Sequence, residues 1–365
     1  MKITFITPYL SINGGNRVIT IYGQKLQQLG HDVLIVCQPR RKITLKQKIK
    51  SIIKRDLLFL DQNKTFSFYD SLDVPYKILE TNRPVIDSDV PDADVVIATW
   101  WETAEWVANL SPSKGAKAYF IQHHEIHDYL PKERVKATYK QCLHKITICE
   151  WLKNILETEY SDTSVSLVPN SVNIQQFNSI ARKKQDVCTL GMLYSSTYWK
   201  GCDISIKAFE IAQEKIPNLR LVAFGSKKQH HDLPLPKNTT YFKQPIQNEI
   251  KNIYGQCNAW LFGSRAEGFG LPILEAMACR TPVIGTPAGA APELLAKGGG
   301  ILVKPEDPED MAKAIIRIAQ MSNDEWKLMS DKAYETATSY TWDDAAKLFE
   351  QALYRAIERT KKGEL

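Results

Sequence analysis

The chain has 365 residues, 44% of them hydrophobic and 24% charged, which is long for a single core and typical of a globular protein built from two domains. No apolar run approaches the roughly 18 to 20 residues that cross a bilayer, and the seven scattered cysteines never form CxxC, which argues against a zinc site and for a reduced, cytoplasmic protein. The net charge of +6 comes from one segment, since Arg40 to Arg55 hold eight basic residues and no acidic one, leaving 6 − 8 = −2 elsewhere; no nucleic-acid-binding motif accompanies it.

In chain order, Ile3 to Thr7 is an apolar run that reads as the first strand rather than as a signal peptide. A loop containing Gly14 and Gly15 follows, then a helix from about Val18 to Leu29 and a strand from Val33 to Cys37. This βαβ opening implies a parallel sheet. The glycine pair lacks the GxGxxG spacing and no acidic residue ends the second strand, which argues against a dinucleotide site and hence against a dehydrogenase.

Residues 42–60 place Leu45, Ile49, Ile52 and Ile53 on one helical stripe among lysines. That pattern fits a basic amphipathic helix lying on an anionic membrane, with residues 42–55 making the contact, or a solvated helix on its own domain. Asp87-Ser88-Asp89 has the form of a metal-binding DxD, but its proline-flanked polar context reads as a turn.

Val95 to Thr99 and Tyr119 to Gln122 are the next strands. Their carboxyl ends lead into Trp100 and Trp101 and into His123, His124, Glu125 and His127. Ligands of doubly wound folds bind at such ends, and aromatic faces with imidazoles suit hydroxyl-rich sugars. Packing aromatics and surface histidines are the plainer alternative. Strands at Ile146 to Cys149 and Val165 to Val168 lead into PNSVNIQQF at 169–177, and the basic, polar run 181–185 reads as a linker.

A second α/β pattern runs from Val187: strands at Val187 to Leu190, Leu221 to Phe224 and near Tyr241, then a helix from Ile250 to Gln256. At 260–275 comes WLFGSRAEGFGLPILE, a strand end, a glycine-bearing turn and a helix opened by Pro272. A helix N-terminus presents unpaired N–H groups and the positive end of a dipole, so it can hold a phosphate. Glu267 and Glu275 bracket it, and carboxylates accept hydrogen bonds from sugar hydroxyls. A packed βα turn with solvated glutamates has the same local pattern. Further on, a strand at Pro282 to Ile284 precedes Thr286, Ala288 and Gly289, Asp307 caps a helix opened by Pro308, and a final amphipathic helix runs from Trp342 to about Lys361.

The 260–275 stretch resembles the E-x7-E signature of group-1, family 4 retaining glycosyltransferases, and 169–177 resembles their P-N-G-V-D-x-x-x-F segment, with Ser171 and Asn173 replacing glycine and aspartate. The resemblance implies a GT-B fold: two doubly wound, Rossmann-like domains facing across a cleft, with a C-terminal helix crossing back to the first. The domains would be an acceptor-side 1–180, a nucleotide-sugar-binding 181–340 and a returning helix 341–365. It implies that Glu267 lies beside the donor sugar and that Glu275 binds the nucleotide ribose. Arg265, Gly268, Phe269, Gly270 and Leu271 would contact the donor, with Gly14, Gly15 and Arg17 on the first-domain side. One of His123 and His124 would touch the donor sugar, and Trp100, Trp101 and Glu125 are acceptor candidates. Lys200 matches the lysine that neutralises the diphosphate, while Met192 replaces the usual arginine and Arg280 a usual glycine.

The reaction this resemblance implies is transfer from a UDP-, GDP- or dTDP-sugar to a glycan or lipid-linked acceptor, with retention, without a metal cofactor and without nucleic acid. The setting would be bacterial surface polysaccharide assembly on the cytoplasmic side, peripheral to the membrane. The competing readings are an epimerase or phosphorylase of the same architecture and a non-catalytic nucleotide-sugar-binding subunit.

Overall fold

A computed structural model describes residues 1–9, 14–39, 73–237 and 239–365. The basic segment 42–60 lies outside them. The chain divides into unit 1, Met1–Ile148, Leu152–Val168 and Ala346–Leu365, and unit 2, Cys149–Trp151 and Pro169–Ala345.

Unit 1 is built on β1 (Lys2–Thr7), β2 (Asp32–Cys37), β3 (Tyr76–Ile78), β4 (Val95–Ala98), β5 (Ala116–Ile121), β6 (His144–Thr147) and β7 (Ser166–Leu167). They form one parallel sheet in the order β3-β2-β1-β4-β5-β6-β7. Parallel neighbours need crossovers, so helices cover the faces and the central strands become apolar throughout, as in the fully buried VVIA of β4. The order reverses between β1 and β4, which opens a crevice at their carboxyl ends. Helix α1 (Gly14–Gln28) starts at the glycine pair, so Gly14 and Gly15 form its first turn rather than a free loop. Helices α2 (Trp101–Ala108), α3 (Lys132–Tyr139) and α4 (Glu150–Tyr160) follow.

Unit 2 repeats the plan with β8 (Thr189–Leu193), β9 (Arg220–Gly225), β10 (Thr240–Lys243), β11 (Ala259–Phe262), β12 (Val283–Gly285) and β13 (Gly300–Leu302), parallel in the order β10-β9-β8-β11-β12-β13. Here the order reverses between β8 and β11. Its helices are α5 (Cys202–Lys215), α6 (Ile250–Gly255), α7 (Leu271–Ala278), α8 (Ala291–Leu294), α9 (Pro308–Gln320) and α10 (Asn323–Thr338). β8 extends past the expected Leu190, so Met192 lies inside the sheet, 1% exposed among Leu190, Leu221 and Ile315.

Local chemistry sets several boundaries. Asp307 caps α9 by accepting from the Asp310 N–H at 2.9 Å. Ser322 and Glu325 cap α10 reciprocally. Arg182 and Lys184 are not solvated linker residues. Arg182 lies over the Trp326 ring at 4.6 Å and donates to the Cys257 carbonyl, and Lys184 Nζ donates to the carbonyls of Ala319 and Met321. Arg280 explains why the resembled family favours glycine there, because its φ is +57°, a left-handed conformation that strains a residue with a Cβ. Compensation comes from Tyr334, whose ring stacks at 4.0 Å, and from Asp331, which pairs at 2.5 Å. The last helix, α11 (Trp342–Lys361), joins unit 1 from Ala346 onward. Phe349 is fully buried there, 4.4 Å from Tyr22 and 5.0 Å from Phe120, and Glu350 meets His31 at 2.7 Å.

Candidate donor site of unit 2

The reversal between β8 and β11 places two loops side by side. One is the single 3-10 turn Tyr198–Lys200 ahead of α5, and the other is the 263–270 loop between β11 and α7. Two glycines let them touch. Gly201 has φ +55°, and a Cβ there would stand 1.7 Å from the Gly263 carbonyl oxygen; a Cβ on Gly263 would stand 2.5 Å from Ser205 Oγ. Side chains would hold the loops apart, so the close approach depends on glycine at both positions.

That approach brings Lys200 Nζ to 2.7 Å from Glu267 Oε1. Ser264 Oγ donates to the same oxygen at 2.8 Å, and the Thr286 hydroxyl donates to the Ser264 carbonyl. Lys200, Glu267, Ser264, Gly263, Ser205 and Pro272 contribute to the lining of a shallow recess. Gly270, at φ +93°, caps α7, with Leu271 first and Pro272 second in the helix. Phe269 is buried and its carbonyl accepts the Ala290 N–H at 2.8 Å. The Gly268 carbonyl is held by Trp151 Nε1 at 3.0 Å and by Cys149 Sγ at 3.2 Å. Glu275 accepts from the buried Tyr254 hydroxyl at 2.9 Å.

Arg265 departs from its expected role. Nε and Nη2 donate to Glu306, Nη1 and Nη2 to Asp203, and Nη1 also to the Tyr198 carbonyl. A guanidinium has five N–H donors, and all five are engaged, leaving none for a diphosphate. Hydrogen bonding to Asp203 first, and then to Glu306, raises the Arg265 pKa above an arginine's ordinary value. Thr286, Ala288 and Gly289 adjoin the loop, Gly289 at φ +61° with its Cα side against the Phe269 carbonyl. Sequence reasoning missed Ser264, Tyr254 and Trp151. Ser264 had a readable signal, three residues before Glu267; Tyr254 and Trp151 reach their partners only through the fold.

In unit 1 the carboxyl ends of β1, β4 and β5 gather a second group. Gln122 donates to the Gly15 carbonyl at 3.3 Å. Glu125 is buried and accepts the Trp101 N–H at 3.0 Å, and burial raises its pKa well above the carboxylate range. Trp101 is 4% exposed, under the Arg134 guanidinium, so neither Trp101 nor Glu125 is laid open for an acceptor. Trp100 is partly exposed, ahead of α2. His123 Nδ1 meets the His124 carbonyl at 2.9 Å, and His124 Nε2 meets the Tyr160 hydroxyl at 3.0 Å. Burial lowers the His124 pKa, which keeps the ring neutral. Asp87 and Asp89 form a turn rather than a metal site: Asp89 is gripped by Arg83 at 2.5 and 2.7 Å, and Asp87 accepts the Ser111 N–H. Among the described residues, the one group with metal-ligand spacing is the exposed His230, His231 and Asp232.

Residues 173–336 match the family model for glycosyl transferases group 1. The chain is 26% identical over 215 residues to a component of the phosphatidylinositol N-acetylglucosaminyltransferase of Arabidopsis thaliana, covering 56% of this chain and 47% of that one. It is 29% identical over 195 residues to the O-antigen chain mannosyltransferase RfbU of Salmonella typhimurium, covering 51% and 54%. The chain thus spans about half the length of these curated relatives. Among solved structures, sucrose-phosphate synthase from Thermosynechococcus elongatus superposes with TM-score 0.70 at 18% identity over 98% of this chain and 99% of that one. Anabaena HepE in complex with UDP-glucose gives 0.70 at 16% identity over 97% and 99%. Likeness at this distance establishes the fold, which is GT-B with two Rossmann-like sheets. Over residues 173–336 the chain is similar to the group 1 glycosyl transferases.

Proposed function

We propose that the chain transfers a sugar from a nucleotide-sugar to a glycan or lipid-linked glycan with retention at the anomeric carbon, in bacterial surface polysaccharide assembly. The observation that carries this reading is the 2.7 Å Lys200–Glu267 pair at the switch point between β8 and β11. In the transfer, the bond from the anomeric carbon to the diphosphate oxygen breaks, and the acceptor hydroxyl oxygen bonds to that carbon. The hydroxyl proton passes to the departing diphosphate. Negative charge grows on that leaving group, and the Lys200 ammonium with the N–H groups opening α7 oppose it, an electrostatic contribution available before the reaction starts. Glu267 accepts hydrogen bonds from donor-sugar hydroxyls and Glu275 from the ribose. Transfer needs no metal. A uridine nucleotide is the first donor to test, because HepE is described in complex with UDP-glucose; GDP- and dTDP-sugars follow.

We assign acceptor recognition to the unit 1 strand end at Trp100 and contact with the donor sugar to one of His123 and His124, with Gly14 and Gly15 on the donor diphosphate. Residues 42–55 are proposed to touch anionic membrane through their six basic residues, Lys42, Lys46, Lys48, Lys50, Lys54 and Arg55. Flotation with anionic liposomes should be lost on deleting 42–55, and unchanged flotation would refute the contact.

Met192 supports a second reading, a nucleotide-sugar-binding subunit without turnover, since the resembled family's arginine position is occupied by a buried thioether. Release of nucleoside diphosphate separates the two. The transferase reading expects release from UDP-, GDP- or dTDP-sugars that depends on added acceptor; saturable donor binding with no release on any glycan or lipid-linked acceptor would replace it.

A further inference from the structure

Arg265 sits two residues before Glu267, yet its side chain turns away from the recess and into a cage of its own. Asp203 faces it from the first turn of α5 at 2.7 and 2.8 Å, and Glu306 faces it from ahead of α9 at 2.6 and 3.0 Å. The Tyr198 ring lies against the guanidinium at 4.1 Å. We propose that Arg265, Asp203 and Glu306 form a positioning clamp that holds the Lys200 turn against the Glu267 loop and so fixes the reacting cation and carboxylate. The inference rests on the transferase reading of that pair.

Three observations carry it. First, Arg265 grips the turn by main chain and side chain together: its backbone N–H donates to the Trp199 carbonyl at 2.9 Å and Nη1 donates to the Tyr198 carbonyl at 2.8 Å. Lys200 is the last residue of that turn. Second, Glu306 has φ +57°, a conformation that glycine adopts freely and that strains a glutamate. Both of its carboxylate oxygens nevertheless go to Arg265. Third, Asp203 and Glu306 are half exposed at 53% and 55%, whereas Arg265 is 13% exposed. Ion pairs with half-exposed partners add little stability, so the cage is a poor device for holding the fold and a suitable one for fixing an angle. Shifts of about 1 Å in a reacting group can cost on the order of a hundredfold in rate.

The strain at Glu306 gives a test that separates geometry from stability. Glu306→Gly relieves the backbone while removing one arm of the clamp. The expected result is a melting temperature equal to or above wild type, with kcat lowered at least tenfold and KM within about twofold. Arg265→Met should lower kcat further, Arg265→Lys should recover part of it, and Arg265→Met with Glu306→Gly should be no worse than Arg265→Met alone. If Glu306→Gly and Arg265→Met both fold and keep wild-type kcat, or if kcat losses simply follow melting temperature, the clamp is refuted. Absence of turnover in wild type would instead refute the transferase reading, and the clamp would then be read from UDP affinity by calorimetry. An affinity loss of tenfold or more in folded Arg265→Met is expected, and equal affinity overturns it.

Discussion

Gly201→Ala is the perturbation whose consequence the structure sets most tightly. Its φ of +55° would cost an alanine about 1–2 kcal/mol. The new Cβ, 1.7 Å from the Gly263 carbonyl oxygen, adds an overpacking cost of about 1–3 kcal/mol. Two other glycines of unit 2 isolate the two costs. Gly298 has φ +87°, but its nearest neighbours are atoms of the flexible Lys332 stem at 3.1 Å and beyond; Gly263 lacks a positive φ, yet its Cβ would meet Ser205 Oγ at 2.5 Å and the Gly201 carbonyl at 2.7 Å. Urea unfolding of the three alanine variants should therefore rank Gly201 as the most destabilised, by about 2–5 kcal/mol, with Gly298 and Gly263 each below it. At about 2–4 °C per kcal/mol for a unit of this size, the Gly201 melting shift is on the order of 10 °C. The clash is relieved only by moving the Lys200 turn away from the Glu267 loop, so turnover should fall in the surviving folded fraction. A Gly201→Ala variant no less stable than Gly298→Ala, with wild-type turnover, would refute the close packing of the two loops.

Acid stability offers a separate check. His144 is 1% exposed, and burial, with the Arg359 charge next, lowers its pKa from 6.5 to about 4. Above pH 6.5 the ring is neutral in both folded and unfolded chains and contributes no pH dependence. Between about 6.5 and 4 only the unfolded chain takes up the proton, so stability is lost as pH falls, by up to about 3 kcal/mol at the lower end. Comparing urea midpoints at pH 7 and 5 should show a smaller loss in His144→Gln than in wild type, and an identical loss would rule His144 out. Tyr254→Phe removes a hydrogen bond to Glu275 and should cost on the order of 1 kcal/mol and weaken nucleoside diphosphate binding; unaltered affinity would detach Glu275 from the nucleotide. Turnover should persist in EDTA, whereas loss reversed by manganese would make the transfer metal-dependent.

The sequence carried the sheets well because parallel strands buried on both faces are near-continuous apolar runs, as at β1, β4 and β11. It carried the glycine-rich 263–270 turn and Lys200 as separate signals. Their pairing was not local: 67 residues separate Lys200 from Glu267, and 62 and 41 separate Arg265 from Asp203 and Glu306. No pattern within one element records such partners, which is why Arg265 read as a donor contact. Helix α10 escaped notice although Ser322 and Glu325 spell a capping box, a signal that was readable. Arg182 and Lys184 read as linker because charge alone does not reveal the carbonyls and the Trp326 face that receive them.

Donor binding at Lys200 and Glu267 is tested most directly by calorimetric titration of UDP, GDP and dTDP into wild type and Lys200→Met. One of the three should bind wild type, and Lys200→Met should fold normally yet bind it at least tenfold more weakly, the loss of about 1.4 kcal/mol or more expected for a removed charge-assisted contact. Equal affinity in the two proteins, or no binding of any nucleoside diphosphate to wild type, would contradict the donor site.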